Sequence, residues 1–331
     1  MRPKTTALQN RPLAALPRTL IGTALAGALA LTAFQASADL SSRFIDEDGD
    51  MVADSPTEAS QWVDPDTLVF AYTPVEDPSV YAEVWAGFLE HMEETTGKRV
   101  QFFPVQSNSA QLEAMRAGRL HVAGFNTGGV PVAVNCSGFV PFTMMAAEDG
   151  SFGYEMEIIT YPDSGIDTVE DLEGRNLAFT SETSNSGYRA PSALLRSEYG
   201  LESGEHFEAA FSGSHDNSIL GVVNKDYDAA AIANSVARRM ISRGVVNEGD
   251  YDVIYTSDTF PTTAYGHVYN LHPELVEKVQ DAFFSYDWEG SALQAEFANS
   301  GEAQFIPITY RENWEVIRTI AEANGVTYDC D

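Results

Sequence analysis

Apolar and polar positions follow one another in blocks that predict a regular succession of strands and helices. Residues 68–72 form a continuous apolar run ended by Thr73 and Pro74, which predicts a buried strand. Tyr81, Val84, Trp85, Phe88, Leu89 and Met92 recur at helical spacing across residues 80–96, with Gly97 as the stop. A second strand is predicted over 100–105. A second helix over 110–117 is capped by Ser107, Asn108 and Ser109, and a third strand spans 120–125. This β-α-β-α-β order predicts an α/β layer with a parallel sheet, whose ligands gather at the carboxyl ends of the strands. Thr73, Asn108, Phe125 and Thr127 fall there. A second α/β series follows, with strands over 154–161, 176–179, 207–211, 227–232 and 251–256. Its helices are predicted over 168–174, 190–199, 218–224 and 235–243. The chain then returns to the first series through 259–265 and closes with helices around 273–286 and 312–324.

The densest chemistry lies at 179–188, where an apolar strand runs into Thr180, Ser181, Thr183, Ser184, Asn185 and Ser186 before a helix. The first N–H groups of a helix lack internal partners and carry partial positive charge. Ser184, Asn185 and Ser186 placed there offer donors to three oxygens of a tetrahedral oxyanion. Ordinary N-capping by the same residues is the other reading, and both stand on this pattern alone. His215, flanked by Ser214, Asp216 and Asn217 at another helix start, has the same two readings.

The ends and the charge change the picture. Arg2, Lys4, Arg11 and Arg18, an apolar run over 20–34, and Ala36-Ser37-Ala38 form a signal-peptide pattern over residues 1–38, with cleavage expected before Asp39 and export by the general secretory route. Losing that segment, with four basic and no acidic residues, takes the net charge from −30 to −34. Such a chain is expected to be a soluble monomer that shuns nucleic acid and anionic lipid. A buried cradle of dipoles still works, because surface charge is screened beyond about 8 Å at physiological salt. Cys136 and Cys330 are expected to bridge in an oxidising compartment. In the acidic lead-in, residues 39–66, Asp46, Asp48, Asp50 and Asp54 surround Gly49. That spacing resembles the Asp-rich calcium loops of thrombospondin type 3 repeats, so structural Ca²⁺ and a solvated acidic linker are both open. No other cofactor is expected: the histidines are scattered without ligand spacing.

Several motifs occur together in order: Trp85-Ala86-Gly87-Phe88-Leu89, then Gln111 to Arg119, Val122-Ala123-Gly124-Phe125, Asp167 to Gly174, Thr183-Ser184-Asn185-Ser186-Gly187, Ser212 to Asn217 and Val223 to Ala230. The set, spanning about 67–323, resembles the phosphate/phosphite/phosphonate-binding periplasmic proteins of ABC transporters. The resemblance implies a two-lobed type II periplasmic binding fold with a ligand cleft and a two-strand hinge. Lobe 1 is then 67–157 plus 258–331, and lobe 2 is 158–257. It also implies a periplasmic location, a membrane permease as partner, and a small phosphorus oxyanion as ligand. Ser184, Asn185, Ser186 and His215 would face Thr73, Asn108, Phe125 and Thr127 across the cleft. The family's Tyr is absent at Asn108 and Phe125. The return loop, with Thr262, Thr263 and Tyr265, offers hydroxyls but no acid, which favours a ligand without an amine. The reading is of a binding protein and not an enzyme. The alternatives are a secreted hydrolase using Ser184 or Ser186 with His215 and Asp216, which lacks a Gly-x-Ser-x-Gly elbow, and a ligand-loaded sensor for a membrane receptor.

Overall fold

A computed structural model describes residues 40–328 and residue 330. The expected signal peptide and its cleavage before Asp39 lie outside the described residues. The strands in chain order are β1 (Thr67–Tyr72), β2 (Arg99–Phe102), β3 (Val122–Phe125), β4 (Phe139–Ala146), β5 (Tyr154–Thr160), β6 (Asn176–Phe179), β7 (Glu208–Phe211), β8 (Ala229–Ala233), β9 (Asp252–Phe260), β10 (Ala264–Val268) and β11 (Gln304–Pro307). They form two sheets, ordered β11-β4-β10-β3-β1-β2 and β7-β6-β8-β5-β9. The helices are α1 (Pro78–Val84), α2 (Ala86–Thr96), α3 (Asn108–Arg116), α4 (Val130–Ser137), α5 (Ala190–Glu198), α6 (His215–Val223), α7 (Asn234–Ser242), α8 (Pro273–Phe284), α9 (Ala292–Phe297), α10 (Tyr310–Asn313) and α11 (Glu315–Ala323).

The β-α-β-α-β pattern produces the parallel ribbon β2-β1-β3, in which Phe70 pairs with Phe102 on one side and Val122 on the other. Each sheet repeats the scheme, since β7-β6-β8 is also parallel. Strands buried on both faces read as continuous apolar runs, which is why β1, β3 and β8 were legible. The helix expected over 80–96 is interrupted at Trp85, yet its hydrogen bonds run on: Trp85 donates to Tyr81 and Leu89 donates to Trp85. Trp85 is fully buried against Phe70, Phe88 and Tyr265, at ring-centroid distances of 4.8, 5.3 and 5.4 Å.

Two segments, 147–153 and 261–263, cross between the sheets. The expected lobe boundaries at 157/158 and 257/258 fall inside β5 and β9. These two strands pair antiparallel within the second sheet, so the crossings come earlier on the way out and later on the way back. The lead-in is fastened to the first lobe. The Val63 N–H donates to the Asn270 carbonyl, the His272 N–H to the Val63 carbonyl, and Phe44 packs edge-on to Tyr269. Cys136 on α4 is bridged to Cys330, which ties the tail to the same lobe.

Candidate functional site

The lobes meet over a buried cavity of about 40 Å³. Its wall from the second lobe begins where β6 ends. Ser184 caps a single π-helical turn, Asn185–Arg189, that runs directly into α5. The Ser184 Oγ accepts from the Gly187 N–H at 3.0 Å. Gly187 is required there, because a Cβ would stand 2.0 Å from the Thr180 Oγ1 and 2.8 Å from the Ser184 Oγ. The turn is thus folded tightly on the strand end, and Ser184, Asn185 and Ser186 are all buried at the cavity wall. Capping and lining are not alternatives here: one face of Ser184 caps while the residue also faces the cavity.

His215, at the first turn of α6, lies on the same wall. Its Nδ1 accepts from the Ala233 N–H at 3.1 Å. In the neutral ring the proton therefore sits on Nε2, which lies 3.5 Å from the Ser184 Oγ. Burial drives the imidazole pKa down to about 4; Arg239 adds to this and Glu76 opposes it. His215 is accordingly a neutral donor at physiological pH. A Ser–His–Asp relay needs Nδ1–H to donate to a carboxylate. Here Nδ1 is an acceptor, and the Asp216 carboxylate accepts instead from Ser214 and the Asn217 N–H.

Asn185 carries a further signal. Its Nδ2 reaches the Tyr154 hydroxyl at 3.4 Å, while its Oδ1 is buried with no partner. The two amide positions are interchangeable by a flip. Either way one amide atom at a buried cavity wall awaits a partner, and buried polar atoms without one are rare.

From the first lobe, Thr127 lines the cavity with Tyr72, Asn126, Thr262, Thr263 and Tyr265. The Thr127 hydroxyl donates to the Pro261 carbonyl at 2.8 Å, tying the end of β3 to the second crossover. Thr73, Asn108 and Phe125 do not line the cavity. Thr73 donates to the Asn108 Oδ1 at 3.2 Å, and the Asn108 Nδ2 donates to the Ser181 Oγ at 3.3 Å, so this pair links the lobes beside the site. Phe125 is packed into the core against Phe139, at a centroid distance of 4.8 Å. Being apolar on both faces of a central strand, it is core and not cleft.

Closure rests on more contacts of this kind. The His215 N–H donates to the Val75 carbonyl at 3.1 Å. The Arg189 guanidinium, itself buried, donates from Nη1 to the Gly128 carbonyl at 2.7 Å. Gly128 lies bare against the cradle: a Cβ there would stand 2.3 Å from the Thr183 carbonyl and 2.7 Å from the Asn185 nitrogen.

Sequence reasoning missed the charged wall. Arg239 on α7 and Glu302 before β11 both border the cavity, 3% and 7% exposed. The Arg239 guanidinium is taken up by Glu76, with Nη2 to Oε1 at 3.3 Å and Nε to Oε1 at 3.4 Å. Arg243 pairs with Glu76 and, at 2.8 Å, with Glu296. Burial works against the Glu76 charge, but Arg239, the Tyr81 hydroxyl and Arg243 together hold its carboxyl below the usual range. Beside the cradle of dipoles expected from the sequence the wall thus carries an arginine, and that arginine is already neutralised. Likewise, the acid absent from the return loop is supplied by Glu302. In sequence, the signal for Arg239 is its adjacency to Arg238 in a chain with 19 basic against 49 acidic residues.

Elsewhere, Asp46, Asp48 and Asp50 are exposed and hold carboxylate oxygens within 4.8 Å of one another. Asp54 does not join them; its carboxylate accepts from the Glu47 N–H at 2.7 Å. Among the described residues no helix is long and apolar enough to cross a membrane.

Two α/β lobes shut over a small buried cavity of hydrogen-bonding groups define a solute-binding protein. The chain belongs to the family of periplasmic substrate-binding proteins of phosphonate ABC transporters, whose profile matches residues 70–314. It is 27% identical over 290 residues to the phosphate-import protein PhnD of Mycolicibacterium smegmatis, covering 84% of this chain and 89% of that one. It is 25% identical over 235 residues to the phosphonates-binding periplasmic protein of Escherichia coli, covering 68% and 69%. Among solved structures, a binding component of a phosphonate ABC transporter from Pseudomonas aeruginosa superposes with a TM-score of 0.70 at 23% identity, over 78% of this chain and 86% of that one. PhnD1 of Prochlorococcus marinus in complex with methylphosphonate gives 0.70 at 16%, over 79% and 99%. These superpositions establish the two-lobed type II binding fold.

Proposed function

We propose that this chain captures one small phosphorus oxyanion, namely phosphite, phosphate or a small phosphonate, as a periplasmic monomer and delivers it to a membrane permease. The observation that carries this reading is the buried second-lobe wall. Ser184, Ser186 and neutral His215 present donors beside the unpartnered amide atom of Asn185. An oxyanion withdrawn from water needs every oxygen satisfied, and preset neutral donors do this without an unpaired buried cation. The first-lobe groups Tyr72, Thr262 and Thr263 complete the enclosure. The reading agrees with the names of the two relatives, a phosphate-import protein and a phosphonates-binding protein. The acceptor role of the His215 Nδ1 supports binding over hydrolysis.

Titration calorimetry with phosphite, phosphate, methylphosphonate and aminoethylphosphonate tests it. One-to-one binding of at least one of the first three, with the ligand recovered unchanged, is expected. No heat from any of the four overturns the reading.

A further inference from the structure

We infer that Glu302 takes up a proton from solvent as the lobes close on the anion, so that ligand and proton are captured in one event. This rests on the oxyanion reading above. Three observations carry it.

The first is the charge count. At this end of the cavity three carboxyls, Glu76, Glu296 and Glu302, stand with two guanidiniums, Arg239 and Arg243. Glu76 and Glu296 engage both guanidiniums directly, and Glu302 meets Arg239 only through the hydroxyl of Ser300. His215 across the cavity is neutral, by its hydrogen bond to the Ala233 N–H. An incoming anion therefore finds no spare cation, and an ionised Glu302 would face it at contact range. One proton on Glu302 removes that repulsion.

The second is the hydrogen count at Ser300. Its hydroxyl has one proton but touches two acceptors, the Phe297 carbonyl at 3.0 Å and the Glu302 Oε2, while Arg239 Nη1 donates to it at 3.3 Å. With a carboxylate, Ser300 donates to Glu302, and the Phe297 carbonyl is still served by the Glu302 N–H at 3.1 Å. With a carboxylic acid, Glu302 donates to Ser300 and Ser300 donates to Phe297, so both forms are satisfied and the site can gain a proton without rearranging.

The third is a route. Glu302 borders the cavity on one side and, with Ser300, Arg238 and Glu155, an outer groove on the other. The remaining titratable groups packed on it are Tyr72 and Tyr265, which burial keeps neutral. Burial already raises the Glu302 carboxyl, with Arg239, Ser300 and Arg238, itself paired with Glu155, opposing, so a neighbouring anion pushes in the same direction as burial. A ligand ammonium is the other occupant that an ionised Glu302 would suit, and the comparison with aminoethylphosphonate separates the two.

Binding takes up a proton wherever the bound state holds Glu302 at a higher pKa than the free state. Affinity then falls as pH rises through that window, by at most about tenfold per pH unit from this group. Phosphite and methylphosphonate are titrated from pH 5.5 to 9 in buffers of different ionisation enthalpy, with wild type and Glu302→Gln. The ligand's own ionisation is common to both proteins. The wild type is expected to take up as much as about one proton more than the variant within the window. The variant, a permanent mimic of the acid, is expected to bind more tightly than wild type at the alkaline end. Equal proton numbers throughout, or equal pH profiles, overturn the inference. So does preference for aminoethylphosphonate that vanishes in the variant, which would make Glu302 an ammonium partner. If the variant does not fold, difference infrared spectra of the wild type decide: ligand must bring a gain in protonated-carboxyl absorption within the window, and no gain overturns it. Absence of binding by the wild type instead removes the oxyanion reading itself.

Discussion

His215 shows how one backbone hydrogen bond sets a side chain's chemistry. The Ala233 N–H occupies Nδ1, so the ring presents Nε2–H and resists protonation down to about pH 4. Its pKa is depressed on folding from an ordinary value of 6.5, so the unfolded chain binds the extra proton first. The stability tied to this group is complete above about pH 6.5 and is lost as pH falls towards 4, up to roughly 3 kcal/mol in all. Denaturant melts at pH 7 and 4.5 are expected to show His215→Asn losing less stability on acidification than wild type. Calorimetry of Ser186→Ala and His215→Asn is expected to show oxyanion binding weakened by about 1–3 kcal/mol each, with native circular dichroism. Unchanged affinity in both would leave them as structural residues of the wall only. Ser184, Asn185, Ser186 and His215 were legible because their chemistry is local: polar clusters at helix starts. Arg239 and Glu302 were not, because their meaning lies in Ser300 and Glu76, which fold alone brings to them.

At the scale of elements, the cradle works only because another loop lies bare against it. Gly128 has no Cβ to strike the Thr183 carbonyl, and Arg189 clasps the Gly128 carbonyl from the other lobe. Gly128→Ala is therefore expected to disfavour closure and weaken ligand binding at least tenfold, while each lobe keeps its fold. Small-angle scattering with saturating ligand should show the variant more open than wild type, and equal scattering and affinity would refute this. The parallel ribbons and their helices were legible from apolar runs and caps. The strands β4, β10 and β11 were not. β4 contains Pro141, and β10 bends at a bulge beside Gly266, whose missing Cβ would stand 2.2 Å from the Val140 carbonyl. Sheet centre and turn look alike in sequence where a strand must accommodate so close an approach.

At the scale of the molecule, surface and site obey different electrostatics. The net charge of −30 is spread over the surface, where salt screens it. Raising salt from 0.05 to 1 M is expected to raise the melting temperature by relieving self-repulsion. Ligand affinity should change far less, since buried groups are screened by salt much less than surface charges. Reducing the Cys136–Cys330 bridge removes a constraint on a 194-residue separation. It is expected to lower unfolding free energy by about 2–5 kcal/mol, read from urea melts, with affinity unchanged because Cys136 lies away from the cavity wall.

The sheet order also dictates a sequence of events in time. The second sheet draws all its strands from residues 154–260, whereas the first waits for β10 and finally for β11, which pairs with β4 across more than 150 residues. As the chain emerges N-terminus first, the second lobe can complete itself while the first is still missing an edge, and contacts of long separation form slowly. The lobe carrying the anion cradle is thus the early folder, and the lobe that holds the lead-in and the tail closes last, with its cystine. Pulse-labelled hydrogen exchange during refolding is expected to protect β6 and β8 before β4 and β10. Simultaneous protection would mean the two lobes nucleate as one unit.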